Sequence, residues 1–493
     1  MNKFRNYSLF GVLLLAFGLR VFTLSRLMVF TPDEEYLLYI AQTLVRDFHI
    51  IWIGVSALGL NFYMGPFWIY FIYPFVGIFN GDPLVLGIIN SLFGVGTVFL
   101  LYIVGSRLFN KNVGLVAALM YATSSLLVFY DQQGYPPIVP FLSLLMFLCI
   151  WMSKYSKKWW ILFSFLYGLV FHIHLSLFLV VFVAIYWIFR QRSTVTRGIV
   201  IYCLSVFLIS ISPLIAFDYF HKASNVTVVF RIVQTFGKSK SNVNFLTRAN
   251  NLSQAFGRVF YLNHGTESSD EILYPCMINS LTTTTRVNLF FSMLIIFLFV
   301  GYFLRQKKLE DDRSKLLFAY SLSFLIPFLF MSIFNPIEYY LLGFFPILFL
   351  VVSIVIDRFN LKFKYVFYLV IFLLAINNIY SVFNSKGSFG LDSKKKLISE
   401  INKVIGNRPF ELNEAGQCHG YGGFRYLFKT YSNKPVKSGE DSNFSWLWPD
   451  EITNIRPEYE VLITETRANP KIDKGYIKVI KEGGFSAYIY YLK

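Results

Sequence analysis

Charge is what this sequence has least of. Asp, Glu, Lys and Arg make up 15% of its 493 residues, against 55% hydrophobic and 19% aromatic, and the mean hydropathy is +0.53. A soluble chain of this length needs a far more polar surface, so the composition places most of it against lipid. Acid is scarcest: 28 Asp and Glu stand against 45 Lys and Arg, a formal charge of +17. In a membrane protein that excess reflects Lys and Arg held on the cytoplasmic side. No basic stripe interleaved with aromatics marks a nucleic-acid surface, so nucleic acid is not an expected partner. Cysteine is also scarce. Cys149 and Cys203 lie in apolar runs and read as small buried hydrophobes, while Cys276 and Cys418 could pair only if both lie outside the cytoplasm. No solenoid-type repeat is present. No small-x-small cleavage site follows the first apolar run, which Lys3 and Arg5 precede, so that run reads as a retained first span starting inside.

Apolar runs long enough to cross a bilayer recur near 8–30, 83–105, 112–130, 137–153, 159–173, 175–190, 198–218, 287–304, 316–334, 339–356 and 365–383, about eleven in all. The short loops agree on one orientation. Arg107 with Lys111, the Lys154–Lys157–Lys158 group, the Arg190–Arg192–Arg197 group, Arg305 with Lys307 and Lys308, and Arg358 with Lys362 and Lys364 all fall inside. The alternate turns, "FYDQQGYPP", "HIH" and "NPIEYY", carry almost no positive charge. Three longer segments then lie outside: 31–82, whose apolar stretches are interrupted by Gly54, Gly59, Gly65 and Pro66 and read as interfacial helices; the polar loop 219–286; and a tail from 384 to 493. The tail turns charged. "SKKKLISEINKVIG" predicts an amphipathic helix closed by Gly406, and "EYEVLITET", "YIKVIK" and "SAYIYYLK" predict strands. The expected fold is an α-helical polytopic membrane protein, residues 1–383, with a small extracytoplasmic α/β domain at 384–493.

Directly after the first span comes "FTPDEEYLLYIAQTL", with Asp33, Glu34 and Glu35 together. One reading is local: Thr31 as N-cap, Pro32 as first helical residue, acids in the first turn. The other is catalytic, because a carboxylate can take the proton of an attacking hydroxyl or hold a metal that does so. A membrane sugar donor carries a lipid-phosphate leaving group, and that group needs cations or hydrogen-bond donors. Arg20 and Arg26 lie in the first span on the Asp33 side of its middle. Intramembrane Arg is costly and marks function, though Arg26 can also snorkel to the surface. His172 and His174 of "FHIHLSLF" have a spacing metal ligands can use, but two His without a third partner read more readily as satisfied polar groups in a bundle. Glu338, Tyr339 and Tyr340 open a late span; an aromatic belt accounts for the tyrosines and leaves Glu338 as the unexpected member. Tyr63 and Asp131 are further cavity candidates.

The order of these features resembles the GT-C membrane glycosyltransferases, and most closely the bacterial relatives of protein O-mannosyltransferases and of lipid A aminoarabinose transferase. The resemblance runs over residues 8–383 and is strongest from Asp33 to Trp151. It rests on the acids after the first span, on "GPFWIYFIYPFVGIFNGDPLVLGIINSLFGVGTVFLLYIVGSRLFNKNVGLVAALMYATSS", on "YPPIVPFLSLL" and on the late "YYLLGFFP". It implies a polyprenyl-phosphate sugar as donor, an active site on the non-cytoplasmic face of a bacterial plasma membrane, and a protein, lipid or glycan acceptor. It puts the catalytic or metal-associated acid at Asp33 with Glu34 beside it, and a divalent cation, Mg or Mn, is the implied candidate cofactor. It puts the donor phosphate near Arg20, Arg26, Glu338, Tyr339 and Tyr340. One departure stands out. Many relatives have Asp or Asn before the Pro that opens the fourth span, where this chain has Pro136; Asp131 is the nearest acid that could substitute. The tail around "YGGFRYLF" is similar to extracytoplasmic tails of some bacterial members.

The expected activity is therefore transfer of a sugar, with inversion, on the extracytoplasmic face. A transporter or lipid flippase is the alternative. It predicts inverted repeats with paired discontinuous helices, which the sequence does not display. A non-catalytic scaffold predicts no acids beside a cavity.

Overall fold

The computed structural model describes residues 2–57, 62–191, 195–235, 245–261, 286–305, 311–330, 338–416, 422–465 and 475–492. Cys276, Cys418, Arg192, Lys307, Lys308 and Tyr421 lie outside the described residues, as do parts of the 219–286 loop and the start of "NPIEYY".

The chain is mostly helical, with a small sheet near its C-terminus. Among the described residues three helices are long and apolar enough to cross a membrane: Leu84–Leu108, Asp312–Phe330 and Leu361–Asn384. A fourth crossing arises if Arg197–Ser210 and Ser212–Phe220, bent by 59°, act as one span. Seven further apolar helices are shorter. The eleven expected spans are thus not established as eleven full-length helices, and the reasons are local. The first run leaves its helix at Val21, re-forms one turn at Leu24–Leu27, and is extended at Met28. The 112–130 run is cut at Ser124 into Lys111–Thr123 and Ser125–Tyr130; the Ser124 side chain caps the second piece and donates to the Val259 carbonyl at 2.6 Å. Val139–Met152 has 14 residues. At about 1.5 Å per residue it is shorter than the roughly 30 Å hydrocarbon core.

One large apolar core joins the membrane helices. A second is shared between the segment after the first helix and the C-terminal unit: Phe30, Leu37, Tyr39 and Trp68 pack in the same cluster as Leu397, Ile401, Phe424 and Phe485. The unit itself is a five-stranded sheet ordered Lys437–Ser438, Phe410–Ala415, Tyr459–Glu465, Phe485–Tyr491, Lys478–Glu482, parallel in its first two pairings and antiparallel in its last two. Helix Leu391–Ile405 covers it and ends at Gly406, whose φ of +61° suits a residue without Cβ.

That helix buries Leu391, Lys394, Leu397, Ile398, Ile401 and Ile405, an apolar stripe with one ammonium in it. Lys394 is fully buried and donates to the Phe30 carbonyl at 2.7 Å and the Gly422 carbonyl at 2.6 Å, with the Phe424 ring 4.4 Å away. The Leu391 N–H donates to the Met28 carbonyl at 2.8 Å, and Ser25 donates to Asp392. Gly390 lets the two segments meet: a Cβ there would lie 1.8 Å from the Arg26 carbonyl oxygen. The C-terminal unit therefore grips residues 25–35 through backbone atoms.

Replacing Lys394 with Met leaves two buried carbonyls without a donor and neighbouring acids without a cation. We expect a loss of about 2–4 kcal/mol, read as a lower thermal midpoint in detergent. Lys396→Met, at an exposed position of the same helix, leaves the midpoint unchanged. Equal midpoints for the two variants would contradict the grip.

Candidate active site

Helix Pro32–Arg46 starts with a complete capping box. Thr31 Oγ1 accepts the Asp33 N–H, and the Glu34 carboxylate accepts the Thr31 N–H at 2.9 Å and the Thr31 hydroxyl. The local reading and the catalytic reading of "TPDEE" thus divide between residues. Glu34 turns back into the cap and is buried, with Gly134 close against its side chain. Glu35 is buried on the opposite side and accepts the Tyr426 N–H at 2.7 Å. Asp33 stays exposed, at the point where the cap, the 131–138 turn and the C-terminal unit meet.

Across from Asp33 lies a group of aromatic and polar side chains. The Asp33 carboxylate is within electrostatic reach of the Tyr135 and Tyr339 hydroxyls. The His174 ring lies 6.1 Å from Tyr135, 5.8 Å from Tyr339 and 5.9 Å from Tyr340, and the two tyrosines are 4.3 Å apart, centroid to centroid. His174 Nδ1 faces Ser176. Behind this group, Glu338 accepts from Arg258 at 2.8 Å and from the Tyr130 hydroxyl at 3.0 Å, all three being buried. Of the expected residues, the structure brings together Asp33, His174, Glu338, Tyr339 and Tyr340.

It sets the others apart. Arg20 is completely buried. Its Nε and Nη2 donate to Asp131 at 2.9 and 2.8 Å, and its Nη1 donates to the Ala16 and Ala122 carbonyls at 3.2 Å each. Tyr121 adds a hydrogen bond to the other Asp131 oxygen at 3.1 Å. Arg20 and Asp131 are thus paired with each other, in an internal ion pair joining the first helix to the 131–138 turn. Gln133 reinforces the join, accepting the Val29 N–H at 2.9 Å. Arg26 donates to the Val382 carbonyl at 3.0 Å. His172 accepts the Phe67 N–H on Nδ1, so its Nε2 donates to the Ser210 carbonyl at 2.8 Å; it ties helices together and does not pair with His174. Tyr63 stacks edge-on against Phe217 and is held by Asn225.

Sequence reading missed Tyr130, Tyr135 and Arg258. Arg258 ends helix Phe245–Arg258, which buries Arg248, Asn251, Gln254 and Arg258. These recur at roughly 3.6-residue spacing inside what composition marked as a polar loop. A polar stripe with that period is a helix turning its polar face inward, and it was a legible signal.

An implied metal needs acids free to converge. Among the described residues no three His, Cys, Asp or Glu side chains are placed to hold a metal ion. Glu34 is held by the cap, Asp131 by Arg20 and Glu338 by Arg258. The residues present do not fit a metal centred on Asp33.

Burial pushes the Glu34 carboxyl from 4.5 up to about 7, against the pull of its Thr31 bonds. The folded state therefore binds this proton more tightly than the unfolded chain. Stability from Glu34 is full below pH 4.5 and is lost as pH rises through about 7. We expect the thermal midpoint to fall across that window, and to fall less in Glu34→Gln, which keeps an acceptor for Thr31 but cannot ionise. The difference is worth up to roughly 3 kcal/mol. Superimposable pH profiles would contradict the assignment.

Comparison with known proteins follows the same lines. Residues 64–217 match the family model described as dolichyl-phosphate-mannose-protein mannosyltransferase. In fold the whole chain is similar to ArnT from Cupriavidus metallidurans bound to undecaprenyl phosphate: TM-score 0.57, 11% identity, 98% of this chain and 97% of that one covered. It is also similar to the oligosaccharyltransferase of Archaeoglobus fulgidus in complex with Zn and sulfate: TM-score 0.51, 12% identity, 93% of this chain and 68% of that one. No curated protein matches it in sequence. The chain thus has the fold of the GT-C glycosyltransferases and is a multi-pass membrane protein.

Proposed function

We propose that this chain transfers a sugar from a polyprenyl-phosphate-linked donor to an acceptor, with inversion, on the extracytoplasmic face of a bacterial plasma membrane. The observation that carries this reading is an exposed carboxylate, Asp33, within electrostatic reach of Tyr135 and Tyr339, whose rings pack with His174 and Tyr340 next to the buried Arg258–Glu338–Tyr130 set. The family match and the GT-C fold support an enzyme over a transporter.

The lipid tail stays in the bilayer while the phosphate sits before Tyr339, Tyr340 and Arg258. Arg258 presents its charge to the leaving phosphate, and Glu338, fixed by Tyr130, holds the guanidinium in place. Such preorganised charge matters most where water is excluded. The acceptor arrives from the outer side, and Asp33 takes its hydroxyl proton. The acceptor oxygen bonds to the anomeric carbon as the bond from that carbon to the phosphate oxygen breaks. The electron pair leaves on polyprenyl phosphate, and the single displacement inverts the anomeric centre. Asp33 is exposed and open to an acceptor, whereas buried Glu34, bound into the cap, is suited to holding the turn. The ArnT relative was solved with undecaprenyl phosphate, which fits a lipid-phosphate donor. The envelope glycans of a deletion strain, read by mass spectrometry, are expected to lose one linkage, which identifies the sugar and the acceptor.

Asp33→Asn is expected to lower transfer by a factor of roughly a hundred to ten thousand, the span of a lost general base, with folding and membrane insertion intact. Near-normal transfer by the purified variant would overturn the role of Asp33.

A further inference from the structure

Three carboxyls crowd together in the seam between helix Pro32–Arg46 and the C-terminal unit. Glu35 comes from that helix, Glu414 from strand Phe410–Ala415, and Glu440 from the N-cap of the short helix Asp441–Phe444. Backbone fixes one oxygen of each outer carboxyl: Glu35 accepts the Tyr426 N–H at 2.7 Å, and Glu414 accepts the Phe424 N–H at 2.9 Å. The Glu440 carboxyl stands between them, within hydrogen-bond reach of both. Glu414 Oε2 is buried, and no N–H or hydroxyl of the described residues reaches it. The nearby cations are committed elsewhere. Lys394 donates to the Phe30 and Gly422 carbonyls, Arg425 lies 3.3 Å from Asp441 and 3.7 Å from Glu451, and Lys429 pairs with Glu451 at 2.8 Å.

Facing carboxylate oxygens without a donor between them repel, and a proton on one of them turns that contact into a hydrogen bond. With Glu35 and Glu414 protonated, each donates to the Glu440 carboxylate, and a single negative charge remains near the Lys394 ammonium. With all three ionised, three negative charges share the same small space. Burial is the main cause that pushes all three carboxyls above their ordinary 4.5, and repulsion from Glu440 adds to it for Glu35 and Glu414. The other groups that face the cluster come from both sides of the seam. On the acid helix they are Tyr39, which feels Glu35, and Glu34, whose charge reaches Lys394. On the C-terminal unit they are Tyr426, which feels Glu35, and Arg425 and Asp441, which act on Glu440; Glu451 and Arg425 act on Tyr39. Burial pushes both tyrosine hydroxyls up, so they stay neutral while the carboxyls titrate.

We propose that Glu35, Glu414 and Glu440 form a proton-operated latch: protons shared among them close the C-terminal unit onto the turn that carries Asp33, and loss of those protons loosens it. The sign follows from linkage. Carboxyls held above their free value bind protons more tightly in the docked state, so docking is firmest below pH 4.5 and weakens as pH rises through the raised values. Lys394, pulled down to about 8, keeps its charge below that pH and does not reverse the trend there. A more acid medium therefore tightens the grip. The latch goes beyond the transfer reading and does not require it.

Two amides report on the seam directly. The Leu391 N–H crosses it to the Met28 carbonyl at 2.8 Å, and the Tyr426 N–H crosses it to Glu35. Their hydrogen exchange is measured on the full chain in detergent from about pH 5 to about pH 7.5, as protection relative to the intrinsic rate at each pH. Protection at both amides is expected to fall about ten-fold or more over that range, the effect of one proton held one pH unit more tightly. Glu414→Gln keeps an acceptor for Phe424 and presents a permanent N–H to Glu440, so its protection is expected to stay high throughout. Glu440→Gln removes the central charge and is expected to flatten the fall as well. Glu400→Gln, at an exposed position, and Glu34→Gln, which silences the cap, are expected to keep the fall. The unsubstituted chain decides by itself if a variant does not fold: protection that is flat or rises with pH would overturn the latch. So would a full fall in both Glu414→Gln and Glu440→Gln, or its disappearance in Glu34→Gln.

Discussion

A single buried ammonium holds together two parts of the chain that lie some 360 residues apart in sequence. Lys394 comes from the C-terminal unit, yet its proton donors are spent on the carbonyl of Phe30, which leads into the acid turn, and on that of Gly422 beside it. Burial pulls Lys394 down to about 8, and the charges of Glu414, Glu35 and Glu34 oppose that pull. The acids around it behave in the mirror sense: desolvation raises Glu35 and Glu414, and each also feels Glu440. An ammonium among buried carboxylates is costly to desolvate and costly to remove. Its effect is positional. The turn carrying Asp33 is fixed from above by the C-terminal unit and from below by the 131–138 turn.

The lower support has the same character. The Arg20–Asp131 pair is buried inside the helical body, with the guanidinium also donating to the Ala16 and Ala122 carbonyls and Tyr121 on the remaining carboxylate oxygen. Through Gln132 and Gln133 the turn also bonds to carbonyls of the first helix and the segment after it. Two charged residues in apolar surroundings are thus paired within the site's frame. The buried cation beside Glu338 is Arg258, from a distant helix, and Tyr130 bonds the same carboxylate.

Much of the architecture was legible in the sequence. Composition marked a membrane protein, and the order of acids, aromatic runs and the late tyrosines carried the GT-C resemblance. In the tail, alternation marked Tyr459–Glu465, Lys478–Glu482 and Phe485–Tyr491, and Gly406 marked a helix end. The strand Phe410–Ala415 was not read, because "FELNEA" is charged and its inward residues are few. Span lengths failed for a different reason: hydropathy averages across a polar break such as Ser124, which the backbone obeys. At the site, the position of Asp33 followed from local order, but pairings such as Arg20 with Asp131 or Lys394 with Phe30 join residues over 100 positions apart and leave no local trace. Lys394 did leave one sign, a lysine on an apolar helical stripe.

The central claim is that a lipid-linked phosphate and the Asp33 carboxylate meet at one place, on the side where the C-terminal unit grips the acid turn. The most direct measurement is an electron cryo-microscopy structure of the full chain in nanodiscs with polyprenyl phosphate bound. The account predicts phosphate density within hydrogen-bonding distance of Tyr339, Tyr340 or Arg258, on the Asp33 side of the helices. Density at the opposite ends of the helices, beside the loops rich in Lys and Arg, would contradict it.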